Sequence, residues 1–277
     1  MTSSHVKYDR SDAAWEECLN DPHRINVAKT WIAKNNTIDM WRAGLYRSII
    51  RPIVDFDPNL SWVTIGDGRY GTDANALIEM GAKNVHCTDV SEKLIKIGQE
   101  IGFINSYSVE NAENLSFEDN SFDFVYCKEA LHHMPRPFIA LDQMFRVARL
   151  GVIISEPRDA VIDRGNFHFI LTLLKKLYGR NLQQHNFEPV GNYMYNMSKR
   201  ELEKFLLGMH YNLMATNSFN DHHIPGVEFA DLSENNKKTR KLFSKVKRRI
   251  FLLNILNKLS IRKPSALSAV LFKQEPS

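Results

Sequence analysis

Three glycines, Gly66, Gly68 and Gly71, stand in a Gly-x-Gly-x-x-Gly arrangement within the stretch WVTIGDGRYGTDANALIEMGAKNVHCTDVSEKLIKIG. Where such a loop joins a strand to a helix, backbone N–H groups at the helix N-terminus face a polar ligand. The missing Cβ lets that ligand approach closely. Asp89 follows the glycines by about 20 residues, the distance at which a carboxylate accepts hydrogen bonds from both hydroxyls of a ribose. A dinucleotide and other nucleoside cofactors both suit this pattern, and glycines alone would equally describe a tight turn.

A second group of residues could move protons. His132 and His133 follow the run FDFVYC, and a neutral imidazole, with an ordinary pKa of about 6.5, is the natural base near neutral pH. Adjacent residues on a turn point in different directions, so at most one faces a substrate, and His133 is the first choice. The competing reading is structural: both rings cap a turn or rest on the glycine loop. Glu156 closes the run GVIISEP, and Arg158 follows it. Either could orient an acceptor, Arg158 an anionic one, or be merely solvated or salt-bridged, as Lys128 and Glu129 could be. His222 and His223 show no ligand spacing with the other histidines, so no metal is expected.

These residues need a scaffold. From Trp62 onward, short β-branched or aromatic runs alternate with helical patterns, the signature of βαβ units and a mostly parallel sheet. The runs are 62–65, 84–88, 106–109, FDFVYC and GVIISEP. The first helix spans about 72–80 and closes at Gly81, the second starts after Ser91, and PFIALDQMFRVARL places Phe138, Leu141, Met144, Phe145 and Ala148 on one face. MSKRELEKFLLGMH carries a capping box, Ser198 with Glu201. Two more strand-like runs follow, YNLMATNSF and ALSAVLFKQ.

Four motifs, TIGDGRYG, HCTDVSEKLI, ENAENLSFEDNSFDFVYCKEALHHM and FRVARLGVIISEP, occur in this order. In order and spacing the chain resembles the class I S-adenosylmethionine-dependent methyltransferases of the type 11 group, from about 62 to 157 and more weakly at the final strand. The resemblance implies an α/β, Rossmann-like methyltransferase fold, with a mostly parallel seven-stranded sheet and helical lid insertions. Its cofactor would be S-adenosyl-L-methionine. Gly66, Gly68 and Gly71 would form the cofactor loop, Gly66 and Gly68 along the methionine part. Asp89 would hold the ribose, Asn111 and Ala112 the adenine edge, and Cys127, just past the fourth strand, would lie near the methionine. The chain departs from the family where an acid is usual two residues before the first glycine (Thr64), where the third glycine usually falls (Tyr70, with Gly71 displaced by one), and at Asn111, often acidic.

The expected organisation is an N-terminal helical cap over 1–58 and a methyltransferase domain over 59–277, with lid insertions at about 158–197 and 221–264. In the first insertion, His185, Glu188, Asn192, Tyr193 and Tyr195 could line a pocket for a sugar or similar polyol, or fill the core of a packed cap. The second contains eleven Lys or Arg and no Asp or Glu between Lys237 and Lys263, mixed with apolar residues at helical spacing. It reads as a lid helix with one solvated face, as a surface for peripheral contact with anionic membrane lipid, or as a positive rim for phosphate-bearing substrates. No RNA-binding module stands beside it.

Apolar residues make up 43% of the 277 and charged residues 25%, ordinary for a globular chain with a net charge of +4. Three cysteines at wide spacing suit neither a disulfide framework nor a zinc site, and no signal peptide or membrane span is legible, so a cytoplasmic protein is expected. The expected activity is methylation of a hydroxyl on a sugar, a nucleotide-linked sugar (a glycan precursor) or another small metabolite, anionic ones included. The alternatives are an NAD(P)-dependent oxidoreductase and an inactive lipid- or partner-binding protein of the same fold.

Overall fold

Seven strands form one sheet in the computed structural model, which describes residues 20–33, 36–159, 173, 177, 193–234 and 236–274. They are β1 (Ser61–Ile65), β2 (Asn84–Asp89), β3 (Tyr107–Val109), β4 (Phe122–Lys128), β5 (Ala148–Pro157), β6 (Met214–Phe219) and β7 (Ala266–Phe272). Their order is β3-β2-β1-β4-β5-β7-β6. β1 to β5 pair in parallel, while β7 runs antiparallel between β5 and β6, which makes β6 parallel to the first five. The seven-stranded, mostly parallel expectation therefore holds. The chain steps outward from β1 to β3 and returns to β4, so the order reverses between β1 and β4, where open α/β sheets bind ligands at their carboxyl ends.

The helices in chain order are α1 (Pro22–Ile32), α2 (Ile38–Arg47), α3 (Arg51–Phe56), α4 (Thr72–Glu79), α5 (Glu92–Glu100), α6 (Pro137–Val147), α7 (Lys199–Gly208) and α8 (Lys237–Lys258). Both faces of the central strands are buried, so they read as continuous apolar runs. Alternation along each strand still assigns the faces. Val63, Ile65, Val125, Val152 and Ile154 meet Leu141, Met144 and Phe145 of α6 and Leu202 and Leu206 of α7. Trp62, Phe124, Tyr126 and Ile153 meet Leu77, Leu94 and Ile95, with Ala28, Ile50 and Val54 from the N-terminal helices.

Local signals behave as their chemistry requires. Ser198 Oγ accepts the Glu201 N–H at 3.1 Å while Glu201 Oε2 accepts the Ser198 N–H at 2.8 Å, the reciprocal pair expected of a capping box. Two boundaries differ from expectation. α6 stops at Val147 and Ala148 is already extended, so β5 begins three residues before Gly151. Cys127 lies inside β4, not past it, because Lys128 also takes strand geometry; the Cys127 thiol is fully buried in the α6-side core.

The N-terminal helices and the second insertion are built together. Ile38 and Trp41 of α2 pack with Ile224, Val227 and Ala230 and with Leu242, Phe243, Val246 and Ile250 of α8 in a satellite core. α2 also reaches the sheet: the Tyr46 carbonyl accepts the hydroxyls of Ser155 on β5 and Ser268 on β7, at 3.3 and 3.4 Å. α2 is thereby fixed beside the carboxyl end of β5.

Candidate active site

The glycine loop begins as β1 ends. Gly66 is left-handed at φ 72°, and a Cβ there would sit 2.5 Å from the Ala130 Cβ, so only glycine lets this loop abut the segment after β4. Gly71 is left-handed at φ 75°, and a Cβ would meet Ile104 Cγ2 at 2.6 Å. Between them Tyr70 is also left-handed, at φ 59°. That conformation costs a non-glycine residue about 1–2 kcal/mol. The ring is 6% exposed and packs edge-on against Trp31 of α1, and burial of an aromatic ring contributes about 1.5–3 kcal/mol, enough to offset the cost. The tyrosine where the family has a glycine is thus an anchor for the cap.

Asp67, inside the loop, is the feature that sequence reading passed over. Its Oδ1 accepts the Asp73 N–H at 3.1 Å, and its Oδ2 accepts the Ala74 N–H at 2.8 Å and the Thr64 hydroxyl at 3.1 Å. The Thr64 hydroxyl thus helps to hold this carboxylate in place. The carboxylate caps the N-terminus of α4, where the helix dipole favours negative charge. Burial, with the neighbouring Asp73 carboxylate, nevertheless pushes Asp67 up to about 7. Burial alone would raise Asp73 too, but Lys128 and Arg47 outweigh it and hold Asp73 below the usual carboxylate range.

The two shifts act on stability with opposite signs. Asp67, raised in the folded state, contributes most below the unfolded carboxylate range and loses that contribution as pH rises through about 7. Asp73, depressed, contributes above that range and loses it in acid. Urea unfolding of Asp67→Asn beside the wild-type chain should show the variant gaining in relative stability as pH rises from about 4 to about 7; a pH-independent difference would contradict the assignment.

Arg47, at the end of α2, completes this cluster. Its Nε donates to Asp73 Oδ1 at 2.8 Å and its Nη2 to the Thr72 carbonyl at 3.1 Å, both groups being buried. Lys128 Nζ lies 3.4 Å from Asp73 Oδ2 and 3.3 Å from Glu129 Oε2. Burial would raise Glu129, but the cations Lys128 and Arg69 bring it down to about 2. Removing Arg47 leaves Asp73 with Lys128 as its neighbouring cation. Arg47→Ala is therefore expected to lower unfolding free energy by about 3 kcal/mol, the low end for breaking a buried pair, read from denaturant melts.

At the end of β2, Asp89 is buried and its Oδ1 accepts the Ser91 N–H at 2.9 Å. The Asp89 carbonyl accepts the Glu110 N–H at 2.9 Å, which ties it to the turn at Asn111 and Ala112. Asn111 Oδ1 accepts the Glu113 N–H at 3.0 Å, holding that turn. Glu113, also missed in the sequence, is buried and accepts the backbone N–H of Arg136 at 2.8 Å and its Nε at 2.5 Å. The turn at Asn111 and Ala112 and the segment after the histidines are thus clamped together.

The histidines sit on a 3-10 turn, Leu131–His133, directly after β4. His132 is buried, and its Nδ1 pairs with Glu156 Oε2. Glu156 Oε1 accepts the N–H groups of Ala130 at 3.0 Å and Leu131 at 2.9 Å. Glu156 is therefore not a solvated strand end but the group that sets this turn. His133, the sequence choice, is half-buried with its ring centroid 3.9 Å from that of His132. Arg158 donates from Nη2 to Ser218 Oγ of β6 at 2.7 Å, away from the β1/β4 crevice. Tyr193 is 53% exposed and stands edge-on to Tyr195, whose N–H donates to the His132 carbonyl at 2.8 Å. His185, Glu188 and Asn192 lie outside the described residues.

A glycine loop after β1, a buried carboxylate at the end of β2 and a turn after β3, all around the β1/β4 crevice, define a Rossmann-like nucleoside site. The donor set tests which nucleoside. A dinucleotide diphosphate needs bare N–H groups at the α4 N-terminus, and here Asp67 already takes those of Asp73 and Ala74. S-adenosylmethionine has no phosphate and carries a positive sulfonium, so a carboxylate in that place costs it nothing.

Residues 63–155 match the methyltransferase domain family. The chain is 27% identical over 142 residues to the demethylmenaquinone methyltransferase of Streptomyces griseus, covering 49% of this chain and 61% of that protein. It is 29% identical over 108 residues to phosphoethanolamine N-methyltransferase 2 of Caenorhabditis elegans, covering 37% and 24%. It therefore spans less than two thirds of the length of either curated relative. The fold is similar to that of a SAM-dependent methyltransferase from Archaeoglobus fulgidus, with a TM-score of 0.50 and 16% identity over 84% of this chain and 94% of that one. Residues 63–155 thus carry a methyltransferase domain of the class I S-adenosylmethionine-dependent kind, and S-adenosylmethionine is the cofactor of that domain.

Proposed function

We propose that the chain transfers the methyl group of S-adenosylmethionine to a hydroxyl of a small polar acceptor, a sugar or nucleotide-linked sugar being the class to test first. The observation that carries this reading is the Glu156–His132 pair beside the glycine loop. A neutral amine acceptor needs no base to attack a sulfonium methyl, whereas a hydroxyl must shed its proton as the bond to carbon forms.

When bound, S-adenosylmethionine supplies an activated methyl group, so the protein's task is alignment and proton removal. Asp89 would hold the ribose hydroxyls, and the Asn111–Ala112 turn would lie along the adenine. The Glu156 carboxylate accepts the Nδ1–H of His132, which fixes the tautomer and leaves Nε2 as the ring's acceptor for the hydroxyl proton. The imidazolium that forms is stabilised by the same carboxylate. Asp67, occupied with the α4 N-terminus, positions the loop without entering the chemistry.

The relatives bear names of unlike acceptors, menaquinone precursors and phosphoethanolamine, so acceptor chemistry is read from this site and not from them. The test is incubation with isotopically labelled S-adenosylmethionine and a panel of polyols, nucleotide-linked sugars, phenols and amines, read by mass spectrometry. Label on a hydroxyl oxygen is the expected result; label confined to amines would overturn the hydroxyl assignment.

A further inference from the structure

α8 is 22 residues long, which spans about 33 Å. One side is committed: Val246 and Leu253 are buried, and Leu242, Phe243 and Ile250 complete the satellite core with α2. On the opposite side Lys241, Lys245, Arg248, Leu252, Ile255 and Leu259 follow one another at steps of three and four, so they form a single stripe. All six are exposed. The N-terminal half of the stripe is cationic, and the C-terminal half is apolar, joined by Phe251 at 62% exposure beside Leu252 at 46% and Leu259 at 57%.

The charge around this apolar end has one sign. Arg248, Lys247, Lys258, Arg262 and Lys263 surround it, and no Asp or Glu occurs between Lys237 and Lys263. Among the described residues, no ion pair to any of these cations is found, in contrast to the paired Arg42, Arg47 and Arg136 elsewhere. No helix of the described residues is long and apolar enough to cross a membrane. A solvated lid face would account for the cations, but not for four large apolar side chains grouped at their end.

We propose that this face of α8 docks on an anionic lipid bilayer. Phe251, Leu252, Ile255 and Leu259 enter the headgroup boundary, and the surrounding lysines and arginines meet lipid phosphates, the arrangement of interfacial helices. Because the opposite side of α8 packs on the α2 cap, docking places the sheet's carboxyl edge near the membrane surface while the helix keeps its place in the fold.

The test is flotation of the full chain with vesicles of phosphatidylcholine alone and of phosphatidylcholine mixed with phosphatidylglycerol. Binding to the mixed vesicles only, weakened by salt, is expected. Each cation near an anionic surface contributes about fivefold to partitioning, so Lys241→Glu/Lys245→Glu/Arg248→Glu should weaken binding by at least about a hundredfold. Phe251→Ser/Leu252→Ser should also release the chain, which separates insertion from charge alone. Circular dichroism and S-adenosylhomocysteine titration of both variants check that the fold persists; should either fail to fold, salt and lipid dependence of the wild-type chain decide the matter. Equal binding to neutral vesicles, no binding to either, or wild-type self-association that the serine variant abolishes, would overturn the proposal, the last assigning the patch to a second copy of the chain. None of these results depends on methyl transfer.

Discussion

His132→Ala is expected to lower kcat by about 100- to 10,000-fold, the range for loss of a positioned general base, while S-adenosylhomocysteine still binds. The reason is geometric. His132 is tied through Nδ1 to Glu156, and Glu156 separately holds the Ala130 and Leu131 N–H groups, so the turn keeps two of its three ties when the ring is removed. Glu156→Gln makes the sharper probe. A glutamine can still accept the two backbone N–H groups through its oxygen, but its amide N–H₂ then faces Nδ1 and drives the ring proton to Nε2, the wrong position for a base. Its kcat should fall with little change in melting temperature. A ring that serves structure alone would leave kcat of the folded fraction near the wild-type value in both variants.

The second large effect concerns Asp89. Asp89→Ala should weaken S-adenosylhomocysteine binding by about a hundredfold or more, because two charge-assisted hydrogen bonds to ribose hydroxyls contribute about 1.5–3 kcal/mol each. Part of any loss arises inside the protein, since Asp89 Oδ1 also accepts the Ser91 N–H at the start of α5. Asp89→Asn separates the two contributions: it preserves an acceptor for Ser91 but removes the charge, so its affinity should fall between those of the wild-type and alanine chains. Calorimetric titration of the three proteins gives the comparison. Equal affinities would remove Asp89 from the cofactor site.

What was legible in the sequence followed local rules. The strand runs, the capping box at Ser198 and Glu201 and the helix stop at Gly81 depend on residues within one or two turns, and they appear where expected. The five parallel strands were legible because buried parallel strands must be apolar along their length. What escaped notice depends on partners far apart in the chain. Nothing near Arg47 signals that it pairs with Asp73, 26 residues on, or that Glu113 will hold Arg136.

Asp67 could have been found. An acid inside the glycine loop, three residues after a threonine, is visible in TIGDGRYG, and the Thr64 hydroxyl does donate to Asp67. His132 meets a long-range partner, Glu156, 24 residues away on the next strand, which no local pattern signals. Cys127 shows the limit of reading strand ends, since the Lys128 backbone pairs with Ser155 of β5, extends β4 by one more residue and leaves the thiol in the core.

The central claim is that the crevice between β1 and β4 holds S-adenosylmethionine and not a dinucleotide. Isothermal titration of the full chain with S-adenosylhomocysteine, and separately with NAD and NADP, tests it most directly. Saturable heat from S-adenosylhomocysteine with none from either dinucleotide is the predicted result, since Asp67 already fills the place of a diphosphate at the α4 N-terminus. Binding of a dinucleotide, or no binding of S-adenosylhomocysteine by the folded chain, would contradict it.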